Sequence, residues 1–134
     1  MNKSRTPIVY VLSAPRPNRY THEEPNTLAL MQYGQVKYLI PRGISPEFNP
    51  EVSAKMLQEG LKQYDPAIDY LTTVGGSYFG AFMMGWILAL LSEPSITWLR
   101  FERDRMGDGS RSNSSGSYWP VTMHMDELLI ELTE

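Results

Sequence analysis

Cysteine is absent from the 134 residues, which excludes disulfides, zinc–thiolate centres and a cysteine nucleophile. The same absence fits a reducing compartment. Histidine occurs only as His22 and His124. His22-Glu23-Glu24 offers a base or a metal ligand, but no second histidine stands nearby, so no metal site is assigned. Asp104-x-x-x-Asp108-Gly109 lacks the ligand spacing of a calcium loop. The phosphate-loop pattern G-x-x-x-x-G-K-[ST] fails after Gly75 and Gly80, because Ala81 and Phe82 stand where Lys and Ser/Thr are required. G-x-G-x-x-G fails at Ser77. A serine-hydrolase elbow around Ser77 would need glycine at position 79, where Phe79 stands, so no catalytic residue is assigned. Met1 to Thr6 is polar and carries no export-type apolar run, and the expected location is the cytoplasm.

What is present describes an ordinary globular chain. The hydrophobic fraction is 42% and the charged fraction 20%, and the length suits a single domain over residues 1–134 with a core that needs no metal or disulfide. The formal net charge of −3 is unevenly distributed. Asp126, Glu127, Glu131 and Glu134 make an acidic C-terminal tail (126–134), and the rest carries twelve Lys/Arg against eleven Asp/Glu. Eight of the twelve basic residues are arginine, the side chain whose fork matches phosphate or carboxylate.

The run Pro7 to Ser13 is apolar, β-branched and bounded by prolines, which predicts a strand buried on both faces, as in a parallel sheet. Three prolines make residues 14–26 a loop. A short helix is expected over Thr27 to Tyr33, capped by Asn26 or Thr27, and a second strand over Val36 to Ile40. Asn49 and Pro50 mark the start of a helix. Its apolar stripe is Val52, Met56, Leu57, Leu61 and Tyr64. Tyr70 to Val74 reads as a third strand, running directly into Gly75-Gly76-Ser77. The next helix, Tyr78 to Ser92, is apolar around nearly its whole circumference, so burial on several sides is expected. Ile96 to Glu102 is a fourth strand. Residues 104–117 are almost all turn formers and are expected to be a flexible loop. Val121 to Met125 alternates and is expected as a half-buried edge strand.

This order predicts an α/β fold: a small three-layer Rossmann-like sandwich, mostly parallel, with strand order 2-1-3-4-5 and an antiparallel edge hairpin. A rival reading is a single membrane span through 70–91, which carries no formal charge. Gly76 and Gly80 even have the small-residue spacing of packed membrane helices. Only Tyr78 to Leu91 is continuously apolar, which suits a core helix better, so no membrane is favoured.

A strand that enters Gly75-Gly76-Ser77 and then a helix can make an anion site, because the first helical turn has unpaired N–H groups. Ligands of open parallel sheets sit beyond the carboxyl ends of the strands. Arg16 and Arg19 follow the first strand, Arg42 the second, and Arg103 and Arg105 the fourth. Asp65, Asp69 and Glu93 lie toward the opposite rim. The expected ligand-binding set is therefore Gly75, Gly76, Ser77, Arg16, Arg19, Arg42 and Arg103. The ligand would be a nucleotide, another phosphorylated small molecule or nucleic-acid phosphate. No cofactor is assigned. A second reading is a non-enzymatic interaction module, such as an inhibitor of a host protein, using residues 121–125, the 104–117 loop and the tail. The exposed edge and the small-residue helix face also allow a homo-oligomer.

Tyr33-Gly34-Gln35-Val36-Lys37-Tyr38-Leu39, Asp69-Tyr70-Leu71 leading into Val74-Gly75, Leu99-Arg100 and Tyr118-Trp119-Pro120-Val121 together resemble small uncharacterised α/β proteins of bacteriophages. The resemblance spans most of the chain. It implies the fold and a viral context, and it brings no catalytic motif and no activity.

Overall fold

A computed structural model describes residues 5–13, 28–74, 78–105, 107–109 and 111–125. The expected 14–26 loop, the helix caps at Asn26 and Thr27, and the 126–134 tail lie outside the described residues. Five strands, β1 (Ile8–Ser13), β2 (Gln35–Ile40), β3 (Tyr70–Thr72), β4 (Ser95–Arg105) and β5 (Arg111–His124), form one sheet in the order β2-β1-β3-β4-β5. The first four are parallel, and β5 returns antiparallel to β4. Two α-helices, α1 (Pro50–Gly60) and α2 (Tyr78–Leu90), join β2 to β3 and β3 to β4. A 3-10 helix at Leu28–Gln32 precedes β2.

Alternation along β1 divides the core between two faces. Tyr10 and Leu12 join Ile40, Leu71 and Ile96 beneath α1 and α2. Val9 and Val11 pack on the other face with Leu99, Tyr118 and Leu30 of the 3-10 helix. One face is thus covered by two α-helices and the other by a single described turn of 3-10 helix. Tyr33 ties that thinner layer down by donating its hydroxyl hydrogen to the carbonyl of Tyr118 at 2.7 Å. Gly34 then enters β2 where a Cβ would collide with the carbonyl of Pro7, so the chain can reach this register only with glycine.

Asp69 organises the amino rim. Its fully buried carboxylate accepts from the Arg5 guanidinium through both oxygens, at 2.8 and 2.5 Å. It also accepts from the N–H groups of Ile8 at 2.9 Å and Asp65 at 2.8 Å. A forked arginine and two backbone donors compensate a carboxylate that would be costly to bury alone. Asp69 is therefore a structural pin joining the start of β1 to the entry of β3. It does not contribute an open acidic rim. Next to it, burial above all pushes the Tyr10 and Tyr64 phenols up to about 12 each.

Several local expectations change. Asn49 does not cap α1 through its side chain; its Oδ1 accepts from the N–H of Ser45 at 3.2 Å and closes the preceding turn. The inward stripe of α1 is rotated from the expected one, with Ser53 buried and Val52 exposed. β4 and β5 run well into the stretch of turn formers, leaving only positions 106–110 between them. Pairing with β4 carries Arg111 to Ser117 as strand despite poor propensity, since strand preference yields readily to context. β5 is mostly exposed in its second half: Trp119, Val121 and Met123 all face solvent.

α2 departs furthest from expectation. Its inner side is buried through Met84, Ile87 and Leu88, and Gly80 packs so close to Leu12 that a Cβ would collide with it. Its outer side is exposed, although it is just as apolar. The helix stops at Ser92, which takes the left-handed φ of 61° while the Glu93 N–H reaches back to the Leu88 carbonyl at 3.1 Å. Among the described residues no helix is long and apolar enough to cross a membrane. The thirteen residues of α2 span only about 20 Å, against roughly 30 Å of hydrocarbon.

Candidate functional site

Because β1 to β4 are parallel, all four deliver their carboxyl ends to one rim. Ser13 pairs with Ile40, and Val11 pairs with Thr72. The Thr72 hydroxyl donates to the carbonyl of Leu99 at 2.8 Å, which marks the level of the rim on β4. From β1 the chain leads to β2 on one side, by way of the thin layer. From β3 it leads to β4 on the other side, by way of α2. β1 and β3 are neighbours, so their exits diverge at a topological switch point, where open α/β sheets hold ligands.

The expected ligand residues distribute unequally around this point. Gly75, Gly76 and Ser77, between β3 and α2, lie outside the described residues, as do Arg16 and Arg19 after β1. Arg42 is exposed in the turn after β2, two strand spacings or about 10 Å across the rim from β3. Arg103 does not follow the fourth strand, because β4 continues to Arg105. Four residues past Leu99, it is carried about 13 Å out along the β4–β5 hairpin. The backbones of Arg105 and Arg111 are paired further out still. Of the expected arginines, Arg42 is therefore the described one at the rim, and Arg103 belongs to a projecting arm.

His124 is exposed on the edge strand and His22 lies outside the described residues. Among the described residues no three His, Asp or Glu side chains gather as a metal site would require. Two features went unforeseen in the sequence. One is the Arg5–Asp69 pin, whose partners are 64 residues apart. The other is the outer face of α2, where the Phe82 and Trp86 rings stack at 6.2 Å beside a groove of about 440 Å³ shared with Ala54 and Gln58 of α1. A signal for the second was present, since an outer-layer helix with no charged residue must leave apolar surface somewhere.

These features define an open, mainly parallel α/β sheet with its switch point between the first and third strands. The chain belongs to the family described as Phage Pam3 gp32-like protein, which matches residues 7–107. That span runs from the residue before β1 through all of β4 and leaves β5 outside. No curated protein and no solved structure matches the chain.

Proposed function

We propose that this protein binds a phosphate-bearing ligand, a nucleotide or nucleic-acid phosphate, at the carboxyl rim of the sheet. The observation that carries the reading is the adjacency of β1 and β3 with diverging exits. The sequence following those two exits supplies Arg16 and Arg19 on one side and Gly75-Gly76-Ser77 on the other. α2 starts directly after Ser77, so the positive end of its dipole lies toward that rim and favours an anion. Arg42 adds charge on the same rim. Calorimetric titration with ATP and with a short oligodeoxynucleotide tests this. Binding that weakens steeply with salt and is lost in Arg16→Ala/Arg19→Ala/Arg42→Ala is the expected result. Absence of binding to both probes, or binding unchanged in the triple variant, refutes it.

A second reading, a protein-interaction module, draws support from the edge strand β5 with its exposed Trp119, Val121 and Met123. Its test is capture of one defined host protein that Trp119→Ser/Val121→Ser abolishes while far-UV circular dichroism stays unchanged.

A further inference from the structure

We infer that the outer face of α2 is the seat of a second copy of this chain, packed about a two-fold axis. Tyr78, Phe82, Trp86 and Leu90 recur every four residues and form one ridge, exposed by 93, 68, 59 and 68%. With Phe79 and Leu91, exposed by 46 and 37%, and roughly 200 Å² for each complete large side chain, the face presents about 700 Å² of apolar surface. A standard interface takes ~800 Å² from each partner, so this ridge with its immediate neighbours is enough for a stable dimer. An uncovered apolar patch of this size is unusual on a monomer.

The shape of the face selects the occupant. Beside the ridge runs a row of small residues, Ala81, Gly85 and Ala89, all partly exposed. A Cβ built on Gly85 meets nothing within 4 Å. A ridge spaced by four residues alongside a shallow row of the same spacing is its own complement, because the ridge of one helix fits the groove of another at an inclined crossing. A two-fold interface requires this, since the same patch must serve both sides. Charge does not oppose the pairing: no Asp, Glu, Lys or Arg occurs between Asp69 and Glu93. The lack of Lys and Arg on α2 also argues against a lipid surface, which favours basic flanks on such a helix.

Sedimentation velocity of the full chain over a wide concentration range tests the inference, using two variants that act in different ways. Phe82→Asp places a charge on the ridge and should weaken association by roughly thirtyfold or more, as for a buried hot-spot residue. Gly85→Leu fills the small-residue row, where the single copy has room, and should give a folded monomer. Far-UV circular dichroism of both variants should match wild type, because both positions face away from the core. The expected result is a wild-type dimer that both changes dissociate. A monomeric wild type, or a dimer that survives either change, overturns the inference. A monomer that co-sediments with phosphatidylcholine vesicles also overturns it and assigns the face to lipid. None of these outcomes depends on ligand binding at the carboxyl rim.

Discussion

The two helices on the same face of the sheet are built on different terms. α1 is amphipathic: Leu57 faces the core, Leu61 continues that stripe just beyond the helix, and Glu51, Lys55 and Glu59 face water. Lys62, in the 3-10 turn that follows, is paired with Glu59 at 2.9 Å. α2 is apolar inside and outside, and only its inner half is buried. The first helix turns charged residues outward, whereas the second leaves large apolar side chains exposed. An even apolar composition therefore reports on the environments a helix can tolerate, and the layer position decides which of them it meets.

The strongest test of this contrast compares the inner positions, where the helices should behave alike. Leu57→Ala and Leu88→Ala, both at fully buried sites, should each cost about 3 kcal/mol in urea unfolding. A much smaller loss at Leu88 would mean that α2 is not anchored as described. Next come the two glycines of α2. Gly80→Ala should cost about 1 kcal/mol, because crowding against Leu12 outweighs the gain in helix propensity. Gly85→Ala, in open space, should gain up to about 1 kcal/mol. Equal effects at the two positions would break the distinction between an inner and an outer side.

Exposed large residues should separate the helices more finely. Val52→Ala on α1 should change stability by less than about 0.5 kcal/mol, independently of protein concentration. Trp86→Ala on α2 should be similarly small in dilute solution and should lower the melting temperature only at high concentration, where partner binding adds stability. The smallest effect concerns the helix ends. Glu93, just past α2, has its pKa raised above 4.5, first by burial and then by Asp65. The folded protein therefore holds that proton more tightly than the unfolded chain. Stability falls as pH rises from 4.5 through the folded-state value, and the loss persists above it. Glu93→Gln should flatten this portion of the urea-midpoint profile against pH, and an unchanged slope would remove Glu93 from the account.

The strand order was legible because continuous β-branched runs between prolines and glycines mark buried parallel strands, and the crossover rules leave few arrangements. The return strand was legible only in part. Arg111 to Ser117 are poor strand formers individually, and the ladder to β4 holds them. That longer ladder is also why Arg103 lies on an arm and not at the rim. The switch point was readable from the strand order, and Arg42 from its place after β2. The Arg5–Asp69 pin was not readable, because a pair 64 residues apart leaves no local pattern.

By itself the sequence determined the strands, the two helices, their order and the absence of cysteine chemistry, because these follow from local periodicity, backbone restrictions and composition. Tertiary structure alone decided which side of α2 is covered, how far β4 and β5 extend, and that Asp69 is a buried pin. Each of these depends on what a residue meets across the fold, and hydrophobic burial, ladder pairing and charge compensation are set by those distant neighbours.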